Sequence, residues 1–203
     1  MQHLYTDDEL VALAASASVR WTGPLPTLAI EESDELVRAA IRGARALAVR
    51  RATDPGAGGE QIRSLVRQSE AARTAVMFLI DADGASVPPC DVSTFFLLGS
   101  DEVLEDRVSA AGVHGFRVLN RPRLHQLLGD VVSEVIASGV SSAATETDGR
   151  PRAAGLAIST EIAGVGRTVV ATSGSVDVIV DGRRQPSPSD GWTVDAALRE
   201  ISL

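Results

Sequence analysis

Lysine is absent from this chain, and all 19 basic residues among its 203 residues are arginine. A protein without lysine cannot form a Schiff base, cannot supply the lysine of a phosphate-binding loop and cannot use a serine–lysine pair. The 27 acidic residues bring the formal net charge to −8. This charge argues against nucleic acid or an anionic membrane as a partner, because binding to phosphates needs clustered positive charge.

Cysteine and long apolar runs are also scarce. Cys90 is the single cysteine, so the chain cannot close an internal disulfide or build a zinc site from several thiolates. The longest runs of large apolar residues, 76–80 and 95–98, are far shorter than the ~20 residues that span a bilayer. The first residues show no basic region followed by an apolar core, the pattern typical of a secretory signal. We therefore expect a soluble cytoplasmic protein without membrane insertion.

The motifs of known cofactor and metal sites are missing as well. The histidines His3, His114 and His125 form neither an i, i+4 pair nor an HExxH pattern. The segment 81–84 begins like a calcium loop but lacks the glutamate at the twelfth position, and its Asp and Gly residues are typical of a tight turn. The glycines at 164–166 lack the third glycine of a dinucleotide motif. We expect no metal and no cofactor.

Candidate catalytic residues are equally few. There is no Gly-x-Ser-x-Gly pattern, and Cys90 has no motif around it, although a pair of Cys90 with His114 or His125 stays open. Glu105, Asp106 and Arg107 offer acid and base groups, but charged residues in a row on a strand predict a solvated face. The sequence names no catalytic residue, and we expect a protein that is not an enzyme.

Helix signals dominate the first third of the chain. Thr6 and Glu9 form a capping box that predicts a helix from Asp7, and Ser33 begins a second helix with acidic residues in its first turn. A third helix is predicted over residues 60–72 from its apolar spacing. The short apolar run 25–30 predicts a strand.

The remaining sequence alternates with period two and then with the period of a helix, and this order occurs twice. Strands are predicted at 75–80, 93–98, 102–109 and 113–119 before an amphipathic helix over 122–136, and at 156–162, 168–172 and 176–180 before a helix capped by Thr193. The fold class we predict is α+β: two pseudo-repeated antiparallel β-meanders, each followed by a helix, with helices at the N-terminus. Its parts are an α+β half at 1–137, a polar linker or loop at 138–154 and a C-terminal meander with its helix at 155–203, packed as one domain with the first half.

Aromatic residues number only seven, so their positions carry weight. Phe78, Phe95, Phe96 and Phe116 fall on predicted strands, where core packing is expected. Trp192 precedes the final helix, where it either packs as a hydrophobic staple or lies exposed at a partner surface.

Five stretches of this sequence resemble, in order and composition, the EspG family of cytosolic chaperones in type VII (ESX) secretion. They are Leu4-Tyr-Thr-Asp-Asp-Glu-Leu-Val-Ala-Leu-Ala14, Gly23-Pro-Leu-Pro-Thr-Leu28, the meander from Arg73 to Leu119 leading into Arg121-Pro-Arg-Leu-His-Gln-Leu-Leu128, Val165-Gly-Arg-Thr-Val-Val-Ala171, and Asp190-Gly-Trp-Thr-Val-Asp-Ala-Ala-Leu198. The chain is shorter than typical members, and its second half is reduced.

The resemblance implies a quasi-twofold α+β chaperone without catalysis or cofactor. Such a protein would hold a helical secretion substrate, a PE/PPE-like pair, cover its aggregation-prone tip and keep it soluble. The partner-binding residues we name for this chain are Phe116, Val118, Trp192 and Leu198.

Two other classes of function stay open from the sequence. One is a small-ligand-binding enzyme or sensor of α+β fold with His114 or Cys90 in a pocket, which would bring these residues and an acidic group together. The other is a homo-oligomer, possible as a homodimer, that associates through an exposed edge of the meander.

Overall fold

The chain folds around one large antiparallel sheet with helices packed on it. The structure, a computed structural model, describes residues 4–53, 59–80, 92–138, 155–189 and 191–201. Within these ranges the helices are α1 (Asp7–Ser16), α2 (Ser33–Thr53), α3 (Gly59–Ser69), α4 (Arg121–Ser138) and α5 (Val194–Glu200). The strands are β1 (Leu4–Thr6), β2 (Arg73–Ile80), β3 (Val92–Leu98), β4 (Glu102–Val108), β5 (Val113–Asn120), β6 (Gly155–Ile162), β7 (Val165–Thr172), β8 (Ser175–Val180) and β9 (Arg183–Arg184). The α+β class is confirmed.

The nine strands lie in the order β1-β5-β4-β3-β2-β6-β7-β8-β9. Each neighbouring pair is antiparallel, as the short connections within the two meanders predict. The two meanders join where β2 pairs with β6, from Ala75 opposite Thr160 to Ile80 opposite Gly155. A pseudo-repeat beyond this shared element order stays a prediction. The linker predicted at 138–154 and the turn predicted at 81–84 lie outside the described residues, except for Ser138.

Two helix caps form where the sequence predicts them, at Thr6 and at Thr193. The Thr6 side chain accepts a hydrogen bond from the Glu9 backbone at 3.3 Å, while the Glu9 carboxylate accepts one from the Thr6 backbone at 3.0 Å. This reciprocal pair is the capping box, and it satisfies backbone donors that have no partner within the helix. At the other end of the chain the Thr193 hydroxyl accepts from the Ala196 backbone and begins α5.

The strand predicted at 25–30 is wrong. These residues form turns instead, in which the backbone of Leu28 donates to the Leu25 carbonyl. Pro24 and Pro26 have no backbone N–H, so this segment lacks donors that a sheet ladder needs. The backbone N–H of Thr27 donates to a side chain, the carboxylate of Asp7.

Both faces of the sheet are covered over its central strands. Phe95 and Phe96 are consecutive residues of β3, point to opposite faces and are both fully buried. On the first side, called here the α4 face, the core residues are Phe95, Leu97, Val103, Leu124, Leu128, Val132, Leu156, Ile158, Val169, Leu198 and Ile201. On the second side, called the α1 face, they are Tyr5, Leu10, Leu13, Trp21, Ile62, Leu65, Val66, Phe96, Leu98, Leu104 and Phe116. Of the four phenylalanines predicted in the core, Phe78 alone is only half-buried.

Helix α2 packs on α1 and forms an outer layer of the α1 face. The two helices approach closely at Gly43, where a Cβ atom would lie 1.9 Å from the backbone oxygen of Asp8. Arg42 and Arg50 of α2 reach back to Asp8 and Glu9 at the start of α1. One side of α2 is therefore fixed on α1, and the opposite side faces solvent. Among the described residues, none of the helices combines the length and the apolar character that crossing a membrane requires.

Candidate functional site

His114 on β5 lies between two aspartates in the interior of the α1 face. Its Nε2 atom is 2.6 Å from Oδ1 of Asp7, and its Nδ1 atom is 2.9 Å from Oδ2 of Asp106. All three side chains are buried, with His114 and Asp106 fully inaccessible. A carboxylate accepts hydrogen bonds, so a ring that serves both aspartates as a donor carries protons on both nitrogens. When His114 is protonated, the cluster is an imidazolium held between two carboxylates.

Strand register brings these residues together. In the pairing of β4 with β5, Val108 lies opposite His114 and Asp106 opposite Phe116, so Asp106 and His114 are diagonal neighbours on one face. Asp7 is the first residue of α1, and β1 places it next to His114 by pairing Tyr5 with that residue.

Asp7 has further partners outside the sheet. Its backbone N–H donates to the carbonyl of Gly112 at 3.0 Å. Both the backbone N–H and the hydroxyl of Thr27 donate to Oδ2 of Asp7. The carboxylate of Asp7 therefore connects α1, the turn around residue 27 and the β4–β5 hairpin.

Burial and hydrogen bonding act on these three groups in opposite directions. Burial alone lowers the pKa of His114, but the hydrogen bonds to Asp106 and Asp7 outweigh it and raise the pKa above its ordinary value. Burial raises the pKa of Asp7, yet the bonds from His114 and Thr27 prevail and lower it. For Asp106 burial is the larger effect, so the pKa of this carboxyl is raised. The ion pair of His114 with Asp7 is favoured, and Asp106 is the more easily protonated acid.

The prediction that residues 105–107 form a solvated face is wrong for two of the three. Glu105 is 6% exposed and Asp106 is not exposed at all, while Arg107 is exposed. Their burial follows from the two helical layers, which cover opposite faces of the same strand. Each buried acid has a cationic partner: His114 for Asp106, and the guanidinium of Arg117 for Glu105.

The buried cluster offers no entry for a substrate. His114 and Asp106 have no accessible surface, so a reacting molecule cannot touch them without opening the core. His125 lies across the sheet on α4, where it contacts Asp195 at 3.0 Å, and Cys90 lies outside the described residues. Over the part of the chain that the structure describes, no group of three or more His, Cys, Asp or Glu residues is placed to hold a metal ion. The cluster of His114, Asp7 and Asp106 therefore links α1, β4 and β5.

A groove beside α1 and α2 is accessible, in contrast to the buried cluster. It has a volume of about 520 Å³ and is mainly apolar. Its lining residues are Val11, Ala14, Ala15, Val19, Arg20, Trp21, Thr22, Gly23, Leu25, Ile30, Leu36, Val37 and Ala40. Apolar walls of this extent, open to solvent, are typical of a binding surface.

Trp21 forms the inner wall of this groove. The side chain is 5% exposed, and its ring centroid lies 4.9 Å from that of Phe96 and 5.9 Å from that of Phe116. Its indole Nε1 is buried and has no hydrogen-bond partner among the described residues. At the rim, Ile30 is 46% exposed and Val37 is 60% exposed. The inner wall is thus buried against aromatic rings, and the rim presents apolar side chains to solvent.

Sequence reasoning missed this groove, although α2 carried a signal for it. A helix that packs on one neighbour needs one apolar stripe, whereas α2 has exposed apolar residues, of which Val37 lines the groove, in addition to the buried Ala39 and Leu47. The groove itself also depends on the turns at 22–32, where the sequence predicts a strand over 25–30. The extra apolar residues were therefore visible, but the wall opposite them was not.

The four residues named for partner binding do not form one surface. Phe116 is buried on the α1 face beneath Tyr5 and Trp21, and Val118 on the same face is 45% exposed. Leu198 is fully buried in the core of the α4 face, against which Trp192 packs while half-buried. Partner contact at these four positions stays a prediction. The edges of the sheet, β1 and the Arg-Arg pair of β9, are short and in part charged, as is typical of protected edges.

Comparison with known proteins gives no match to a family model, to a curated protein or to a solved structure.

Proposed function

We propose that this protein is a non-enzymatic cytosolic chaperone that binds a helical secretion substrate, a PE/PPE-like pair of a type VII secretion system, and keeps it soluble. The observation that carries the proposal is the open apolar groove of about 520 Å³ beside α1 and α2. The resemblance of the chain to EspG chaperones names the class of substrate.

The groove suits one face of an amphipathic helix. Helices dock in grooves through apolar side chains at i, i+3, i+4 and i+7, and such a stripe finds here a floor of alanines and Trp21 between apolar rims. Covering the exposed Ile30 and Val37 removes apolar surface of both partners from water. A substrate helix whose apolar face is hidden in this way does not aggregate.

An enzymatic function has weaker support. The polar cluster that resembles an acid–base site is His114 with its two aspartates, and it is sealed within the core. The groove lining contributes Arg20 as its one charged residue and no acidic one, so general acid–base pairs are missing from its described wall. Apolar complementarity is what this surface offers.

The experiment is a co-purification of the tagged full chain from its native cytosol, followed by mass spectrometry of stoichiometric partners. We expect a helical pair at equal stoichiometry with the wild type. Ile30→Asp places a charge on the rim of the groove and is expected to remove the pair, whereas Val49→Asp is the matched control. Val49 is 65% exposed on α2 and does not line the groove.

A third variant separates the groove from the surface predicted on β5. Val118→Asp changes a residue that is 45% exposed and does not line the groove. Loss of the partner with Val118→Asp and its retention with Ile30→Asp would move the contact to β5. Recovery of no partner from cells shown to express such substrates would overturn the chaperone proposal.

Binding of a small apolar ligand is the second candidate function, and the size of the groove, about 520 Å³, favours it, because small-molecule sites have volumes of about 300–1,000 Å³. Titration with an apolar fluorescent dye measures this directly. Saturable binding that Ile30→Asp abolishes, in a protein that captures no partner, would support the ligand-binding function.

A further inference from the structure

Helix α2 carries a second apolar stripe that faces away from α1. Its residues are Val37, Ile41, Ala44 and Ala48, and all four are exposed, Val37 to 60% and Ile41 to 50%. They recur at i, i+4, i+7 and i+11, which aligns them along one side of the helix. We call this set the outer stripe. The residues that pack on α1, including Ala39, Gly43 and Leu47, are buried and lie outside this stripe.

The spacing of the outer stripe is that of a coiled-coil seam. Apolar residues that alternate in steps of four and three are the a and d positions at which two helices interdigitate. A helix that serves only as the cover of α1 needs no such seam, because its exposed side is expected to be polar. The outer stripe is therefore surplus to the packing within this chain.

Opposite charges stand at the two ends of the outer stripe. Asp34 lies one turn before Val37, and Arg51 lies one turn after Ala48. Both are exposed, and neither makes an ion pair with another residue of the described ranges. The stripe is thus acidic at its start, apolar in its centre and basic at its end.

We propose that the outer stripe is the interface of a homodimer, in which α2 packs antiparallel on α2 of a second copy. Turning one copy end over end about the midpoint between Ile41 and Ala44 brings Asp34 to Arg51 of the other copy. The same operation places Val37 against Ala48 and Ile41 against Ala44, so each large side chain meets a small one. Because a twofold interface repeats every contact, these three pairs occur twice.

Arg38 and Arg45 flank the outer stripe on one side, and the antiparallel arrangement brings Arg38 of one copy toward Arg45 of the other. The ion pair of Arg38 with Glu35 at 3.1 Å offsets part of this like-charge contact. Antiparallel helices also place the positive end of one helix dipole near the negative end of the other. A parallel pair would instead set Asp34 against Asp34 and Arg51 against Arg51. Charge complementarity therefore selects a second copy in the antiparallel orientation.

This inference goes beyond the proposed function and uses a surface that shares only Val37 with the groove. Ile41 belongs to the outer stripe and does not line the groove, while Ile30 lines the groove and does not belong to the stripe. Val37 belongs to both, so it is left unchanged in the tests. One helix pair gives an interface at the small end of specific ones, and we expect a dimer that dissociates on dilution.

The first test is the mass of the full chain in solution as a function of concentration, by sedimentation equilibrium. We expect the wild type to pass from monomer to dimer, and Ile41→Glu to remain monomeric over the same range. Val49→Glu is the matched control, because Val49 is also an exposed apolar residue of α2 but lies about a quarter turn away from the stripe. It is expected to dimerise like the wild type.

The second test exchanges the charges and identifies the partner of each. Asp34→Arg alone and Arg51→Asp alone both create two like-charge contacts, and each is expected to weaken the dimer by at least about tenfold. The double variant, and an equimolar mixture of the two single variants, restore opposite charges and are expected to recover the dimer. Circular dichroism confirms that each variant is folded.

Three results would overturn the proposal. They are a wild type that stays monomeric at all concentrations, equal effects of Ile41→Glu and Val49→Glu, and single charge variants that dimerise as well as the wild type. A different protein bound at the outer stripe of a monomer would do the same and would assign the stripe to that partner. Because none of these variants changes Ile30, failure here leaves the co-purification result on the groove intact.

Discussion

The Nε2 atom of His114 lies 2.6 Å from Oδ1 of Asp7, although 107 positions separate the two residues. The bond joins the first residue of α1 to β5, the strand that pairs with β1 at one edge of the sheet. Asp106 holds the second ring nitrogen, so the histidine is fixed from both sides. The orientation of α1, and with it one wall of the apolar groove, depends on this contact.

His114→Gln is expected to destabilise the fold by about 3–5 kcal/mol, because it leaves two buried carboxylates without their cation. Urea denaturation followed by tryptophan fluorescence measures the change, since Trp21 lies in the same core. His125→Gln is the matched control. The contact of His125 with Asp195 is largely exposed, so a change within about 0.5 kcal/mol is expected. Equal losses in the two variants would contradict the role given to the cluster.

The cluster of His114, Asp7 and Asp106 determines whether the free energy of unfolding rises or falls with pH. The pKa of His114 is raised above 6.5 in the folded state, so its contribution is complete below pH 6.5 and is lost as pH rises through the folded pKa. The raised pKa of Asp106 acts in the same direction, because the folded state releases that proton at a higher pH than the unfolded chain. The pKa of Asp7 is lowered from 3.8, so its contribution is lost in acid, as pH falls below that value.

We therefore expect the free energy of unfolding of the wild type to fall as pH rises from 6.5 toward 9. The measurement is a series of urea titrations over this range, with His114→Gln beside the wild type and His125→Gln as control. The slope is expected to be smaller in His114→Gln and unchanged in His125→Gln. Parallel curves for all three proteins would show that another group controls the alkaline limb.

Short-range patterns in the sequence predicted most of the helices and strands. They could not predict which strands that are distant in the sequence pair with each other. The capping box at Thr6, the helix before Ser138 and the strands of both meanders depend on residues close in the chain. The pairing of β2 with β6 and the burial of Asp106 depend on what packs against them from distant segments. A row of charged residues on a strand predicts a solvent-exposed face. Here a helical layer covers the strand, and the helix that covers Asp106 begins at Asp7.

The groove likewise depends on contacts between segments that are distant in the sequence. Its floor and rim come from α1, the turns at 22–32 and the start of α2, which no single periodicity describes. The apolar run 25–30 predicts a strand although Pro26 lies within it and Pro24 precedes it, and a strand there would not form this wall of the groove. The one feature of the groove that the sequence indicates is that α2 has more apolar residues than packing on α1 requires.

Glu9 of α1, another buried acid, gives an independent prediction for the contact between α1 and α2. Glu9 is 3% exposed, both its oxygens accept from Arg50, and the Arg50 guanidinium lies 5.1 Å from the centre of the Tyr5 ring. Arg50→Ala is expected to destabilise the protein by about 2–4 kcal/mol in urea denaturation, because Glu9 is left buried without its cation. Arg38→Ala removes an exposed ion pair with Glu35 and is expected to change stability by less than about 0.5 kcal/mol. A loss of the same size in both variants would mean that burial of Glu9 does not matter.

Two helical glycines provide the sharpest contrast, because they differ in what surrounds them. At Gly43 of α2 an added Cβ would lie 1.9 Å from the backbone oxygen of Asp8, whereas at Gly129 of α4 it would meet nothing within 4 Å. Backbone atoms cannot yield as a flexible side chain does, so Gly43→Ala must push α1 and α2 apart. We expect it to lower stability by about 1–3 kcal/mol despite the better helix propensity of alanine.

Gly129→Ala gains that propensity without a clash and is expected to raise stability by about 0.5–1 kcal/mol. The opposite signs are measured by thermal and urea denaturation of both variants under one condition. Because the groove lies between α1 and α2, Gly43→Ala is also expected to weaken whatever binds there, and Gly129→Ala is not. Stabilisation by both substitutions would show that α2 is free to move away from α1, and the groove would then lack the fixed wall on which its binding role depends.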